Sequence, residues 1–256
     1  METTPGMELD IRKDDGLTRI VLTRPQIGNS LSSGLVNALT DAVSACYEDG
    51  TRILVIEGSG PNFCTGFDLS DLESETDDSL LARFVRVELL LQKVYYAPFL
   101  TVALAQGRAF GAGADLFAAC EQRWIVESAM FSFPGAAFGL VLGTSRLAGR
   151  VGTERAREWI RSGQAVSAER ALETGLASRI VGASDLEAEL KSLGSDARRL
   201  EPLTQAAIHA ASLHSGDADR AADLYRLTLS AARAGIKERI EAYRMSTRRR
   251  KQSGGD

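Results

Sequence analysis

The sequence predicts an α/β protein. Strand–strand–helix units occupy residues 7–185, a helical region follows over 186–250, and 251–256 form a disordered tail. Three observations carry this reading. Short apolar runs of buried-strand character alternate with segments of helical periodicity. Two of the runs end in glycine-bearing turns, Asn62-Phe-Cys-Thr-Gly-Phe-Asp-Leu69 and Gln106-Gly-Arg-Ala-Phe-Gly-Ala-Gly-Ala-Asp115. Beyond Leu186 the pattern is almost wholly helical. A chain of 256 residues suits one large domain, or one domain with an appendage.

Taken in order, residues 1–6 read as a disordered start. Met7 to Thr23 holds two apolar runs around Asp14-Asp-Gly16, a hairpin signal. From Ser32 to Glu48, Leu35, Val36, Leu39, Val43 and Cys46 fall on one helical face. Arg52 to Glu57 is a buried-strand run, and the acidic stretch Ser70 to Asp78 is expected to be a mobile loop. Ser79 to Tyr95 is a helix apolar nearly all round. Leu100 to Ala105 is the next strand, Ala112 to Cys120 a helix starting in the second glycine turn, and Arg123 to Val126 a short strand. Thr153 to Arg161 and Ser167 to Gly175 are helices, the latter with Ser167 as N-cap.

Composition narrows the function classes. Apolar residues at 44% and charged residues at 25% are ordinary for a globular chain. A net charge of −4 gives no case for nucleic acid or a membrane surface as partner. No N-terminal signal pattern and no apolar run of spanning length is evident, so a cytoplasmic setting is expected. Cys46, Cys64 and Cys120 are widely spaced and read neither as a disulfide framework nor as a metal site. His209 and His214 lie in the helical region, far in sequence from Cys64, which argues against a nucleophile–histidine triad. No metal is expected.

Four motifs, in order, resemble the enoyl-CoA hydratase/isomerase (crotonase) family. They are Arg24-Pro-Gln-Ile-Gly-Asn-Ser-Leu-Ser32, the run Arg52 to Gly60 followed by Phe63 to Leu69, the segment Gln106 to Cys120, and Ser167 to Val181. The resemblance spans about Leu17 to Val181. It implies a crotonase-like ββα spiral core with a helical C-terminal region, an acyl-CoA thioester as partner, and assembly as a homo-trimer or dimer of trimers. It implies no cofactor beyond the coenzyme A carried by the substrate. It also implies an oxyanion hole built from the backbone N–H groups of Phe67 and Ala112. Glycine turns suit that task, since a backbone without Cβ lets a ligand approach closely. Two converging N–H groups hold the charge that develops on a thioester carbonyl oxygen.

The family's two catalytic glutamates are not both matched. Asp115 stands at the first position, three residues past Ala112, where the alternative is an acid favoured by the helix dipole. The second lies in a Pro-Glu pair, which here reads Pro134-Gly135, and the following loop, Gly139 to Leu147, is a few residues shorter. Asp115 is therefore the first candidate acid/base. Glu88, among apolar neighbours on the helix 79–95, is the second, against a structural pairing with Arg83, Arg86 or Gln92. Cys64, Gly66, Asp68, Leu69 and Gly111 of the turns, with Phe133 and Gly135, are expected at the substrate; Phe67, Phe110, Phe131 and Phe138 offer an aromatic wall or, equally, core packing. Arg24, and with it Arg108 and Arg146, are candidate contacts to the phosphates of coenzyme A, against simple exposure. The leading function is an acyl-CoA-processing enzyme stabilising a thioester enolate. The alternatives are a single-acid isomerase, decarboxylase or thioester hydrolase, a non-catalytic acyl-CoA-binding homologue, and an inactive supporting subunit.

Overall fold

The computed structural model describes residues 8–213 and 217–253. The expected disordered start, His214 and the end of the tail lie outside the described residues. Strands β1 (Leu9–Asp14) and β2 (Leu17–Leu22) pair antiparallel. Their hairpin closes because Asp15 and Gly16 supply the positive φ angles, 43° and 75°, that a two-residue turn needs. Ser32 then caps α1 (Ser33–Ala45), its hydroxyl accepting from Leu35 N–H at 2.9 Å. The predicted face of this helix, Leu35, Val36, Leu39 and Val43, is buried.

β3 (Ile53–Gly58), β4 (Leu100–Phe110) and β5 (Gln122–Ser132) continue the sheet in parallel with β2, each reached through a helical crossover. β6 (Val166–Ser167) pairs antiparallel and β7 (Arg179–Val181) parallel with β5, giving seven strands among the described residues. β4 and β5 run farther than the sequence predicts. A register shift between Ala105 and Gly107 absorbs the glycine, and the ladder resumes as far as Phe110 and Ser132. Alternation along β3 sends Leu54 and Ile56 into the main core and Ile53 and Val55 into a second core. That second core is covered by α7 (Leu186–Arg198) through Leu190 and Ala197.

The other helices are α2 (Asp77–Tyr95), α3 (Ala112–Ala119), α4 (Thr144–Val151), α5 (Thr153–Ser162), α6 (Ala168–Glu173), α8 (Pro202–Ser212), α9 (Asp217–Ala231) and α10 (Ile236–Ser253). α10 extends three residues into the expected tail. No described helix is long and apolar enough to cross a membrane.

The stretch 70–78 is not the open loop that its acidity suggests. Leu72 is buried in a 3-10 turn, and Thr76 and Ser79 cap α2 reciprocally. Glu75 pairs with Arg83, and the Asp77 carboxylate accepts from the N–H groups of Gly235 and Lys237 at 2.7 and 3.0 Å. The polar residues are occupied in capping and in tying the C-terminal region down. That region folds back on its own core: Leu227, Ala231, Ile236 and Ile240 join Leu72, Leu80, Phe84 and Leu140 in a third cluster.

Candidate active site

The two glycine turns lie against each other. Cys64 bridges Ala109 in parallel, with Cys64 N–H donating to Arg108 at 3.2 Å and Phe110 N–H donating to Cys64 at 2.9 Å. Gly66 takes a φ of 96°, and a Cβ there would sit 2.6 Å from the Phe110 carbonyl oxygen and 3.3 Å from Ala112 N. Gly111 turns at a φ of 52° into α3. Gly66, the chain neighbour of Phe67, thereby packs against Ala112 at the start of α3, and Phe67 and Ala112 both line the cavity described below. Leu31 pairs with the residues flanking Phe67, and Ala112 opens a helix whose first N–H groups lack intrahelical partners. Neither N–H donates to another group among the described residues. The Phe67 ring is fixed between Phe84, stacked at 4.4 Å, and the Arg83 guanidinium at 4.1 Å.

Gly113 is the close-packing point of this arrangement, since a Cβ there would collide with the Cys64 carbonyl. Gly113→Ala is expected to cost about 1–3 kcal/mol, the range typical of overpacking. Chemical denaturation reads the change, and an unshifted midpoint would contradict the geometry.

A cavity of about 200 Å³ opens over the two turns. Eight of the candidate site residues line it, namely Gly66, Phe67, Leu69, Gly111, Ala112, Asp115, Phe133 and Gly135, with Phe110 and Phe138 on its wall. Phe131 does not, being buried against Phe117 in the core. The sequence reading missed the far side: Leu140, Leu142 and Thr144 before and in α4, Ile160 of α5, and Ile240 and Tyr243 of α10. Among the described residues that line it, Asp115 is the one carboxyl and there is no Lys, Arg or His.

Asp115 is buried, and its carboxyl lies against Gly143, where a Cβ would overlap Oδ1. Burial pushes its pKa up to about 8; the Arg146 charge opposes this and the Glu88 charge reinforces it. The acid is held largely protonated at neutral pH.

Four expected site residues are not brought to the cavity. Glu88 is fully buried beside it, and both its oxygens accept from Arg146, at 2.9 and 2.5 Å, with Gln92 Nε2 donating to Oε1 at 2.8 Å. Of the partners expected from the sequence only Gln92 reaches Glu88; Arg146, not expected there, takes up both its oxygens, and in doing so is itself engaged away from the surface. Arg24 is held by Glu8 at 3.0 Å and Asp68 at 2.9 Å and donates to the Ser30 carbonyl at 2.7 Å. Asp68 serves this pair: burial raises its pKa, but hydrogen bonds from Ser70 and the charge of Arg24 outweigh burial and hold it below the usual carboxylate range. Cys64 is in the core, where burial pushes its thiol up to about 12, the wrong direction for a nucleophile. Arg108 is exposed on the surface. His209 is engaged by Glu121 and the Tyr95 carbonyl, at 3.1 and 2.9 Å, in tying α8 to the core. No group of three or more metal-ligating side chains gathers among the described residues.

A seven-stranded sheet with helical crossovers, and two glycine turns meeting under a lid of C-terminal helix, define a crotonase-fold protein. The sequence profile of the enoyl-CoA hydratase/isomerase family matches residues 12–244, and the chain belongs to that family. Mycobacterium tuberculosis echA6, assigned as an enoyl-CoA hydratase, is 34% identical over 199 residues, 76% of this chain and 78% of that protein. A Bordetella parapertussis structure assigned as an enoyl-CoA hydratase/isomerase is 39% identical, covers 93% of this chain and 98% of its own, and superposes with a TM-score of 0.90. A Thermobifida fusca protein solved with acetoacetyl-CoA shares the fold, with a TM-score of 0.74 at 24% identity over 87% of this chain and 93% of its own.

Proposed function

We propose that the chain is an acyl-CoA isomerase that moves a double bond through a thioester enolate, with Asp115 as its single acid/base. The observation that carries this is the pair of unpartnered N–H groups, Phe67 and Ala112, next to a buried carboxyl in an apolar cavity. The thioester oxygen accepts from both N–H groups, and the enolate charge is met by dipoles already in place. Ionised Asp115 takes the proton from Cα of a 3-enoyl thioester. The electron pair of that C–H bond enters the enolate, and the proton returns to Cγ to leave the 2-enoyl product. Atoms balance without water. With a pKa of about 8, roughly a tenth of Asp115 is ionised at pH 7, enough to start this exchange while keeping a proton donor close by.

The lining argues for the acyl class. Leu69, Phe84, Phe138, Leu140, Ile160 and Ile240 make an apolar chamber. An acyl group carrying its own carboxylate would be buried there without a cation, which weighs against decarboxylation. Gly135 offers no second carboxyl to place a water, which weighs against hydration and hydrolysis.

The test is exchange of the α-proton. The protein is incubated in deuterated water with 3-enoyl-CoA, crotonyl-CoA and a saturated acyl-CoA, and products are followed by mass spectrometry. Deuterium gain with conversion of the 3-enoyl to the 2-enoyl thioester is expected. Acyl-CoA binding with neither exchange nor conversion would replace the isomerase by a non-catalytic acyl-CoA-binding protein.

A further inference from the structure

Behind the cavity wall lies a charged cluster that no step above uses. Arg146 of α4 and Glu88 of α2 face each other with side chains 2% and 1% exposed, joined by two hydrogen bonds at 2.9 and 2.5 Å. Asp223 of α9 stands 3.7 Å from the same guanidinium. Glu88 occupies both terminal nitrogens of Arg146, yet Arg146 Nε is buried without a hydrogen-bond partner among the described residues. An unmet guanidinium donor in a protein interior is costly, and a buried pair normally satisfies every donor. The carboxyl of Asp115 rests against Gly143, one helical turn before Arg146 on the chain. Arg146 and Glu88 are also the charged groups that act on Asp115, in opposite senses.

We propose that Arg146 is a positioning residue for Asp115, meeting its carboxylate form during turnover, and that Glu88 holds Arg146 in place and cancels part of its charge. The division of labour follows from the geometry. An unbalanced guanidinium would trap Asp115 as the carboxylate, able to take a proton but slow to return it. A carboxylate without any guanidinium would be too costly to form in this cavity. The Glu88–Arg146 pair sets a middle position, so that the proton leaves the Asp115 oxygen as the new C–H bond forms and is recovered in the reverse step. The inference rests on Asp115 being the acid/base of the site.

The experiment titrates Asp115 itself, without turnover. The carboxyl C=O stretch of Asp115 is followed by infrared difference spectroscopy from about pH 5 to about pH 10, a window that brackets the buried acid. The band is assigned by its loss in Asp115→Asn. Glu88→Gln is expected to lower the midpoint by about one unit or more, a tenfold rise in the ratio of ionised to protonated acid. Arg146→Gln is expected to raise it by as much. The opposite signs are the signature, because loosened packing alone would move both variants the same way. Asp223→Asn, at the partly exposed edge of the cluster, leaves the core pair intact and is expected to lower the midpoint by a few tenths. A midpoint unmoved in Asp223→Asn and in whichever core variants fold, or moved in one direction by both core variants, overturns the proposal. A protein that shows the signed shifts but no α-proton exchange would instead fail the isomerase reading and leave the pair standing.

Discussion

Replacing Asp115 with Asn is expected to lower isomerase turnover by about 10²–10⁴-fold, the usual contribution of a positioned acid/base, and to change acyl-CoA affinity by no more than a few fold. The substitution is close to isosteric and copies the protonated acid in shape and polarity. The N–H groups of Phe67 and Ala112 are untouched, so ground-state binding persists while proton transfer stops. The same variant carries a stability prediction with a definite sign. In the native state Asp115 keeps its proton up to about pH 8, whereas in the unfolded chain it releases it near the ordinary aspartate value of 3.8. Between those values the unfolded state binds fewer protons, so this residue makes the wild-type fold less stable as pH rises. Asn has no such dependence. Thermal unfolding should therefore show Asp115→Asn gaining on the wild type from about pH 4 to about pH 8 and holding its advantage above that, since each unit of displacement is worth about 1.4 kcal/mol. Parallel stability curves across this range would mean that the Asp115 carboxyl is solvated and not buried in apolar surroundings.

Much of the fold was legible because it is written locally. The Asp15-Gly16 turn, the buried face of α1 and the Ser167 cap are each decided by neighbours a few residues apart. The glycine turns were legible for a related reason: Gly66 and Gly111 adopt positive φ values that most side chains disfavour. The errors have a common cause, which is distance along the chain. Glu88 and Arg146 are 58 positions apart, and nothing near either one indicates that the other will take up its charge. Read alone, Glu88 is a carboxylate among apolar residues and a candidate acid/base; with Arg146 in place, both its oxygens are taken up in a buried ion pair. Ile240 and Tyr243 reach the cavity only because α10 is sewn to the 72–77 segment through Asp77, Glu73 and Glu75. One local signal was available and missed. Leu147 and Val151, spaced one helical turn apart after Gly143, mark the buried face of α4.

Gly135→Glu is expected to give the protein a measurable hydration of crotonyl-CoA, at least about tenfold and up to about 10²-fold above its own background, a conservative share of what one acid/base group supplies. Position 135 lies on the cavity wall in the 3-10 turn Pro134–Phe138, where the resemblance puts the family's second catalytic glutamate. The backbone there accepts a side chain. Gly135 does not have a positive φ, and its nearest neighbours to a Cβ are the Leu140 carbonyl oxygen at 3.7 Å and Leu140 Cβ at 3.9 Å, ordinary van der Waals contacts. The substitution therefore tests function with little cost in fold, unlike a side chain at Gly66 or Gly113. A carboxylate at this position would stand across from Asp115 and could hold a water against Cβ of the enoyl thioester. Asp115, protonated near neutrality, would supply the α-proton, dividing between two groups the work that one acid does for isomerisation. Burial also favours the protonated form of the new glutamate, so hydration should rise with pH until the proton on Asp115 is lost near pH 8. A folded Gly135→Glu variant that binds acyl-CoA and isomerises as before, yet adds no water at any pH, would show that the shorter loop after Gly139 has reshaped the cavity beyond hydratase geometry, and that the missing glutamate alone does not set the reaction.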